Sequence, residues 1–561
     1  MRLSLGALVL AAGWAFLFMQ ARSLLLLAPV AGFVGAVTVH HFLRERLRRA
    51  KRSVAYYERG LARAEDRWSG TGPGGERFDT PHHIYAADLD LFGRDSLFEL
   101  LSTARTQMGE ETLAGWLLSP APLPTIRERH ACAADLSPRL DLREDMAVLG
   151  EPAMIGLRPD ALLEWAEAPN RLERAWIAPA AIALPAFAVA ATAAWVVTGF
   201  VAPLGVVLVL EIAVLYRLRV RLDAVLRGTE RAFEDLGPFA ELLLRVERER
   251  FDAEPLGALV ARLSSHTSPA SKTIGRLTTI AGFVQALRNP LVALLVVPLL
   301  YPLQAALAAE RWRRKHGAVV RTWVTVLGEF EAVASIAAYA YEHPEDRLPE
   351  LVDGPARFEA AALGHPLIPA SRCVRNDVTF GGDTRVLLLS GSNMSGKSTL
   401  LRTVGINAVL AMMGAPVRAG RLRLTPLQVG ASIRINDSLH EGSSRFYAEI
   451  TRLRELLELA SRPLPLLFLL DELLQGTNSK DRRTGAEGVV RAFVARRAIG
   501  IVSTHDLALT DIDLAEHGGL RNQHFQDYFD QGQMKFDFTL RDGPVTKSNA
   551  VELMRSIGLE V

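Results

Sequence analysis

The sequence predicts an α/β domain behind a mostly α-helical region, together with two apolar helical hairpins that are long enough to cross a membrane. Three observations predict this organisation. Long apolar runs are confined to a few places in the first part of the chain, and the segments between them are rich in Leu, Ala, Arg and Glu at helical spacing. Roughly the last 200 residues instead alternate short β-rich runs with helical segments, as α/β domains do.

The composition excludes several classes of protein. The chain has 561 residues, and its 64 Lys and Arg against 62 Asp and Glu give a net charge of +2, which carries no global basic signal for nucleic acid. Hydrophobic residues make up 49% and charged residues 22%, so the chain is not largely disordered. The two cysteines, Cys132 and Cys373, lie far apart, which excludes a disulfide framework and favours a reducing compartment. The mean hydropathy of +0.15 is high for a purely soluble enzyme.

The first 43 residues are predicted to form a transmembrane hairpin. Two apolar runs, Leu3–Met19 and Ser23–Phe42, are separated by Arg22, and each is long enough to cross a hydrocarbon core of about 30 Å. A strongly basic flank follows at residues 44–52, which places that side in the cytoplasm. The alternative is a cleaved signal peptide, which we consider less favoured because no small-residue cleavage site follows the first run and a second full run does.

A second hairpin is predicted at residues 176–216. The runs Trp176–Val197 and Ala202–Tyr216 flank a turn at Gly199, and Glu211 is the one formal charge within them. Arg217, Arg219 and Arg221 follow on the side expected to be cytoplasmic. A carboxylate within a span is costly unless it faces protein or lies near the interface.

A third apolar run, Leu291–Ala308, is interpreted as a buried or membrane-apposed helical segment. One further crossing would place everything after it outside the cell, away from ATP. The basic residues of Arg311–Lys315 follow this run, and they suit contact with nucleic acid or a membrane flank equally well.

A phosphate-binding loop follows the apolar strand Val386–Leu389. The segment Gly391–Ser398 reads G-x-x-x-x-G-K-S, and a helix begins at Thr399. Glycines in such a loop let backbone N–H groups surround phosphates at a helix N-terminus. We therefore expect Lys397 to reach the β- and γ-phosphates of ATP and the Ser398 hydroxyl to bind Mg²⁺. The predicted nucleotide-binding residues are Gly391, Ser392, Asn393, Met394, Ser395, Gly396, Lys397, Ser398 and Thr399.

Two further strands end in polar residues that suit the same site. The run Leu466–Leu470 is followed by Asp471, which suits Mg²⁺, and by Glu472, which suits a base that orients the attacking water. A third strand, Ile501–Thr504, ends at His505, which is expected to hydrogen-bond the γ-phosphate. The predicted catalytic residues are Lys397, Glu472 and His505.

These segments resemble the MutS family of mismatch-repair ATPases, relatives of the ABC ATPases. The family's loop is approximately G-P-N-M-G-G-K-S-T, and Gly391–Thr399 keeps its Asn-Met pair but has serines at positions 392 and 395. Asp471–Thr477 is similar to D-E-x-x-x-G-T, and Asp437–Glu449 is similar to D-x-L-x-x-G-x-S-T-F-x-x-E with Arg445 in place of Thr. The resemblance implies a P-loop NTPase that hydrolyses ATP with Mg²⁺ in a homodimer. It also implies that Ser444 contacts the γ-phosphate bound by the partner subunit, although Ser444 also suits the cap of the helix that begins near Phe446.

The resemblance extends to a helical core before the ATPase. Gly93–Leu97, Thr103–Gly109 and Trp116–Pro120 are similar to a G-[ST]-L, T-x-T-x-M-G and W-L-x-x-P series of the family. The expected domains are a hairpin at 1–43, a basic helix and flexible Gly-rich linker at 44–80, a helical core at 81–175 and 217–350 interrupted by the hairpin at 176–216, and the ATPase at 351–561. A mismatch-reading domain is not expected, and the second hairpin stands where the family inserts its DNA clamp.

Three functions are compatible with this organisation. The first is a multi-pass protein of the inner membrane, with a cytoplasmic MutS-type ATPase that closes around DNA as a dimer, as in mismatch repair or recombination. The second is an ATP-driven conformational switch of the same architecture that acts on a partner other than DNA. The third, an ABC transporter, ranks last because no L-S-G-G-Q-like signature is present.

Overall fold

The structure is a computed structural model that describes residues 24–80, 82–156, 159–264, 268–286, 299–392, 394–434, 445–475, 477–505, 519–530 and 533–545. The first apolar run, residues 291–298 of the third run, Asn393, Gly476 and the segment 435–444 with Ser444 lie outside the described residues. The chain divides into two compact units, Met1–Leu61 and Ala62–Val561.

Helices, several of them long, dominate the part of the chain before the sheet. In chain order they are α1 Leu24–Ala64, α2 Leu97–Leu101, α3 Gln107–Leu118, α4 Leu123–Leu136, α5 Leu140–Gly156, α6 Pro159–Glu167, α7 Ile177–Thr198, α8 Ala202–Glu247, α9 Glu254–Ala261, α10 Ala270–Ala286 and α11 Tyr301–Glu342. Helix α1 joins the predicted second apolar run to the predicted basic helix without a break, so no element boundary exists at residues 43–44.

The Gly-rich segment at residues 69–75 is packed, which corrects its interpretation as a flexible linker. The N–H of Gly72 donates to Glu99 Oε1 at 3.1 Å, and the carbonyl of Gly74 accepts from the N–H of Gly93 at 2.8 Å. Trp68, just before it, is buried in the main core. The glycines therefore permit close backbone approach here rather than chain flexibility.

The predicted hairpin at 176–216 forms two helices joined at Gly199, which has a φ of +74° and ends α7. Many apolar side chains on α7 and on the first part of α8 are exposed, including Phe187, Val197 and Val209. Glu211, by contrast, is buried.

Two helices in the described part of the chain are long and apolar enough to cross a membrane. In α7 the most apolar window is 22% buried, whereas in α11 it is 83% buried. Helix α11 is therefore a core helix of the protein. Within its basic run, Arg313 belongs to that core, because it is buried and pairs with Glu310 at 2.5 Å, whereas Arg311, Arg314 and Lys315 are exposed. The interpretation of this run as a nucleic-acid or membrane contact is wrong for Arg313.

The C-terminal domain, predicted above to be an ATPase, is built on one sheet with helices on its faces. Within the described residues its strands are β1 Glu350–Leu351, β2 Arg357–Leu363, β3 Asn376–Gly381, β4 Thr384–Ser390, β5 Arg421–Leu424, β6 Gln428–Ser432, β7 Leu466–Leu470, β8 Ile499–Thr504, β9 Gly519–Asp530 and β10 Gln533–Asp542. The helices described in this domain are α12 Lys397–Met413, α13 Arg445–Ala460 and α14 Ser479–Ala495. Strands β4, β8, β7 and β6 are parallel neighbours in that order, and β9 runs parallel to β4. This parallel part carries the apolar runs that the sequence predicted, because its strands are buried on both faces.

The helical core holds the end of α12, the helix that follows the phosphate loop. Arg129 of α4 donates to the carbonyl of Met413 at 2.8 Å, and the N–H of Ala121 donates to the carbonyl of Met412 at 3.0 Å. A cation at the C-terminus of a helix also complements the helix dipole. The helical core and α12 are thus joined through hydrogen bonds to the main-chain carbonyls at the end of α12.

Candidate functional site

The predicted site residues converge because β4, β8 and β7 are adjacent and parallel. Ser390 at the end of β4 is in register with Thr504 of β8, and Leu470 at the end of β7 is in register with Val502. The loops that leave these three strands therefore meet at one edge of the sheet. In open α/β sheets this carboxyl edge is where ligands bind.

The loop between β4 and α12 requires glycine at both ends. Gly391 has a φ of +150°, and a Cβ there would lie 2.8 Å from Ser395 Oγ and 3.0 Å from the carbonyl oxygen of Phe525. Gly396 has a φ of +107° and caps the N-terminus of α12. Met394 also has a positive φ, and its side chain is exposed. The result is a tight loop that leads into a helix N-terminus.

Lys397 is buried at the centre of this loop. Its ammonium donates to the carbonyl oxygens of Gly391 at 2.9 Å and Ser392 at 2.8 Å, and His505 Nε2 lies 3.3 Å away. Burial lowers the pKa of Lys397, and the nearby carboxylates of Glu472 and Asp471 oppose that shift. No carboxylate forms an ion pair with this ammonium among the described residues, so its charge is balanced chiefly by carbonyl dipoles.

Ser503 connects the two acidic residues at the end of β7. Its hydroxyl donates to Asp471 Oδ1 and accepts the N–H of Glu472 at 3.0 Å. The N–H of Asp471 donates to the carbonyl of Ser432 on β6 at 2.9 Å. Ser503 is fully buried, so this contact between β8 and β7 is shielded from water.

The carboxylate of Glu472 has a partner at each oxygen. Oε1 lies 2.5 Å from His505 Nε2, and Oε2 accepts from the amide of Gln475. The backbone of Glu472 is in the left-handed region, with a φ of +53°. Residues held in such conformations are concentrated at functional sites, where the surrounding structure maintains them.

A cavity of about 180 Å³ adjoins the phosphate loop, and neither Asp471 nor Glu472 is among its lining residues. It is lined by Gly396, Thr399 and Leu400 of the loop and α12, by His365 before β3, and by Phe525 and Phe538 of the β9–β10 hairpin. Burial lowers the pKa of His365 to about 4, with help from Arg402 and Arg418, so its imidazole is neutral. Its Nδ1 accepts the N–H of Leu367 at 3.2 Å.

Two buried polar atoms of the loop have no hydrogen-bond partner among the described residues. These atoms are the hydroxyl oxygens of Ser392 and Ser395. A buried polar group without a partner is costly, and in a native site it needs an explanation such as a ligand. The loop therefore fits a phosphate group with several acceptor oxygens.

The structure brings together most of the predicted site residues. Lys397, Asp471, Glu472 and His505 share one edge of the sheet, with Ser398 in the first turn of α12. Asn393 and Ser444 lie outside the described residues. Sequence reasoning missed Ser503, whose signal was a polar residue within an otherwise apolar strand, and it missed the cavity, which is assembled from separate segments.

Comparisons with known proteins agree with this geometry. The model of MutS domain V matches residues 387–560. The endonuclease MutS2 of Thermus thermophilus is 34% identical over 206 residues, which are 36% of this chain and 26% of that protein. The DNA mismatch repair protein MutS of Thermus thermophilus is 32% identical over 256 residues, and that of Thermus aquaticus 33% over 253 residues. Each of these two matches covers 45% of this chain and 30% of the relative.

The matched region spans less than a third of the length of these relatives. It includes the phosphate loop, both acids and His505, all at the carboxyl edge of the sheet. Residues 387–560 therefore match MutS domain V, a P-loop ATPase-type domain, and this domain is what the chain shares with MutS and MutS2.

Proposed function

We propose that this protein is a membrane-anchored ATPase of the MutS type, which binds and hydrolyses ATP with Mg²⁺ in a homodimer and couples this cycle to DNA. The observation that carries the proposal is the convergence of Lys397, Asp471, Glu472 and His505 around one glycine-flanked loop. Phosphoryl transfer depends mostly on positioning and charge neutralisation, and these residues supply both.

Each residue has a distinct role in this proposal. Lys397 and the loop N–H groups hold the phosphates, while Ser398 and Asp471 would hold Mg²⁺, which supplies charge neutralisation at the β- and γ-phosphates. Glu472 orients the attacking water and accepts its proton. His505 contacts both Glu472 and Lys397, so it is suited to link the γ-phosphate to the position of the base.

The cavity beside the loop suits the nucleoside end of ATP. It starts at Gly396, where the phosphate loop joins α12, and its walls include the rings of Phe525 and Phe538. Aromatic walls favour a flat heterocycle, because ring stacking adds to the burial of apolar surface. Neutral His365 contributes a polar group to the same wall.

Membrane anchoring is supported by the exterior of the α7–α8 hairpin. Helix α7 has 22 residues, about 33 Å at 1.5 Å per residue, which matches the hydrocarbon thickness of a bilayer. Its Val197 is 84% exposed and Phe187 is 62% exposed, an arrangement that water does not favour. We place this hairpin and the first 43 residues in the inner membrane and the ATPase domain in the cytoplasm.

The topology is tested by labelling single cysteines in intact cells. A cysteine introduced at Gly199 should react with a membrane-impermeant reagent applied from outside, and one introduced at exposed Arg454 should not. Labelling at Arg454 without labelling at Gly199 would overturn the proposed orientation.

Coupling to DNA is supported by the similarity to a DNA mismatch repair protein and an endonuclease. The alternative is a switch that acts on another partner, which the net charge of +2 favours because it provides no broad basic surface. Binding of the purified full-length protein to duplex DNA, measured over a series of salt concentrations, separates the two. Phosphate contacts require affinity that falls steeply with salt, and the absence of binding at low salt would favour the alternative.

ATP hydrolysis itself is tested with two substitutions. We expect Glu472→Gln to retain ATP binding and to lower kcat by at least about 100-fold, because the base is lost while the phosphate contacts remain. Lys397→Ala should weaken nucleotide binding as well as turnover. Glu458→Gln, at an exposed position on α13, is the matched control and should keep the wild-type rate. Wild-type turnover by Glu472→Gln would show that another group is the base.

A further inference from the structure

An open crevice lies at the foot of the α7–α8 hairpin. It has a volume of about 440 Å³ and lies between the segment that precedes α7 and one face of α8. Three arginines line it, Arg171 and Arg174 from the segment and Arg221 from α8, together with a single acid, Glu173. Val220 and Ala224 form its apolar part. The crevice therefore combines positive charge with an apolar wall.

The three guanidinium groups keep their charge available. Within the described part of the chain, none of them has a carboxylate within ion-pair distance. The carboxylate of Glu310 accepts from the backbone N–H of Arg171 at 3.4 Å, but it pairs with the side chain of Arg313. Elsewhere on α8 an exposed arginine does have a partner, since Arg227 pairs with Asp223 at 2.7 Å. The crevice thus carries a net positive charge, with three guanidinium groups, unpaired among the described residues, against the one carboxylate of Glu173.

The crevice lies where the apolar exterior of the hairpin ends. The segment from Trp176 to Tyr216 contains no formal charge except the buried Glu211. Trp176 and Tyr216 are both exposed at this end, and the guanidinium of Arg219 lies over the Tyr216 ring at 4.3 Å from its centroid. Trp and Tyr are the residues that mark the boundary between hydrocarbon and headgroups.

The chemistry of the crevice suits a phosphate that is held next to hydrocarbon. The planar fork of arginine matches the oxygens of a phosphodiester, and it is less strongly hydrated than an ammonium. In a bilayer, the phosphates of lipids form the layer directly beyond the hydrocarbon, and basic pockets between helices at this level suit anionic headgroups. A soluble anion or a nucleic acid would gain nothing from the apolar surface that begins at Trp176 and Val220.

We propose that the crevice lined by Arg171, Arg174 and Arg221 binds the phosphate of an anionic phospholipid headgroup. The inference rests on the membrane insertion of the α7–α8 hairpin that forms part of the proposed function. It adds a specific lipid site to that anchor. Because α8 continues from this crevice into the helical core, a bound headgroup would fix the foot of a helix that reaches the core of the protein.

The test uses the full-length protein in mild detergent and native mass spectrometry with phosphatidylglycerol and phosphatidylcholine as probes. The test variant combines Arg171→Gln, Arg174→Gln and Arg221→Gln. The matched control combines Arg454→Gln, Arg483→Gln and Arg491→Gln, which remove the same charge from exposed positions of the ATPase domain. The single variant Arg174→Gln, at an exposed position, gives a second measurement with minimal effect on folding.

We expect the triple variant to bind phosphatidylglycerol at least about tenfold more weakly, because three cationic contacts are lost, with phosphatidylcholine binding unchanged. The single variant should weaken phosphatidylglycerol binding in the same direction, and the control should stay within about twofold of wild type, since its charges lie elsewhere. Soluble glycerol phosphate should not displace bound phosphatidylglycerol when it is added at the concentration at which the lipid saturates its site.

Three results would overturn the proposal. One is unchanged phosphatidylglycerol binding by the triple variant, and another is competition by glycerol phosphate at the affinity of the lipid. The third is a triple variant that loses salt-dependent binding to duplex DNA but still binds the lipid, which would make the crevice a nucleic-acid surface. Insertion into phosphatidylcholine vesicles is measured separately. If the wild-type protein inserts normally but does not prefer phosphatidylglycerol to phosphatidylcholine, only the headgroup site is rejected. If it fails to insert, the membrane anchor is rejected as well.

Discussion

At the scale of single residues, Ser503 has the most direct influence on the site after the predicted residues themselves. It occupies a buried position on β8, and its hydroxyl holds the Asp471 carboxylate and the Glu472 backbone at the same time. Neither contact involves the reacting groups of ATP, so Ser503 is a positioning residue. Its effect should appear in metal binding and turnover rather than in nucleotide binding.

We predict that Ser503→Ala lowers kcat by roughly 10- to 100-fold and raises the Mg²⁺ concentration needed for half-maximal activity, because a buried hydrogen bond to an acid is lost. Binding of ATP without Mg²⁺ should be unchanged. Ser503→Thr keeps the hydroxyl and should restore most of the activity. Equal losses in the Ala and Thr variants would indicate a packing defect rather than loss of the hydroxyl.

Glu331 is a second residue whose environment has a measurable consequence. It is buried in the core on α11, where it accepts from the N–H of Arg105 at 3.1 Å and from the Thr106 hydroxyl. Burial raises its pKa to about 7, against the opposing effect of these hydrogen bonds. The folded protein therefore binds a proton more tightly than the unfolded chain between about pH 4.5 and 7.

Stability should accordingly fall as the pH rises through that window, by up to about 3 kcal/mol for this one group. We predict that the midpoint of thermal unfolding drops more between pH 5 and pH 8 for the wild type than for Glu331→Gln, which cannot ionise. Thermal unfolding followed at both pH values measures the difference. Parallel curves for the two proteins would contradict the assignment.

At the scale of elements, residues 82–91, which we call the strap, connect the helical core to the ATPase sheet. The carbonyl of Ile84 accepts the N–H of Ala431 on β6 at 3.0 Å. Asp88 Oδ1 accepts two backbone N–H groups just beyond β6, those of Ile433 at 2.9 Å and Arg434 at 2.6 Å. Since β6 also holds the N–H of Asp471 through Ser432, the strap supports the acidic end of β7 indirectly.

We predict that Asp88→Ala lowers stability by about 2 kcal/mol, because two partly buried N–H groups lose their acceptor. ATP turnover should fall with it. Asp88→Asn retains the Oδ1 acceptor and should behave nearly as wild type. Asp90→Ala removes partly exposed ion pairs with Arg434 and Arg402, so it should lower stability by less than about 1 kcal/mol. Urea unfolding and ATPase assays of the three variants check this order of stability losses. A larger loss of stability in Asp90→Ala than in Asp88→Ala would contradict it.

At the scale of the whole molecule, two helices link the foot of the hairpin to the core beneath the ATPase. Helix α8 has 46 residues and α11 has 42, about 69 and 63 Å in length at 1.5 Å per residue. Each contributes to the small apolar cluster at the hairpin foot, with Leu222 and Leu303 as examples. Each also contributes to the main core, with Phe239 and Phe330 as examples. Such helices are suited to transmit movement between the two regions.

Dimer formation is the other property of the whole molecule that we propose. The resemblance to MutS implies that Ser444 completes the site of the partner subunit. We predict that mixing a Ser444→Ala protein with a Lys397→Ala protein restores activity, because one of the two sites in the mixed dimer then has both groups. ATPase assays of the mixture, with the mixed dimers verified by two affinity tags, provide the measurement. Mixed dimers as inactive as each parent would indicate that the site is completed within one chain.

Local sequence was sufficient to place the phosphate loop, the two acids beside it and the apolar hairpin. A phosphate loop, a strand that ends in Asp471 and Glu472, and a hairpin centred on Gly199 each depend on contiguous residues, so the pattern of side chains along the chain contains the information. The same pattern misjudged the Gly-rich segment at 69–75 and, in the basic run at 311–315, Arg313. Whether a glycine confers flexibility or close packing, and whether an arginine is exposed or buried, depends on partners distant in sequence.

Tertiary structure alone determined which distant groups meet. Ser503 acquires its role from the register of β8 with β7, Asp88 from the passage of the strap along β6, and the arginine crevice from the approach of the segment before α7 to α8. Sequence determines propensity and burial pattern locally, because these depend on near neighbours. Pairings across the fold depend on how whole elements pack, and in this chain that packing decided the residues that support the site.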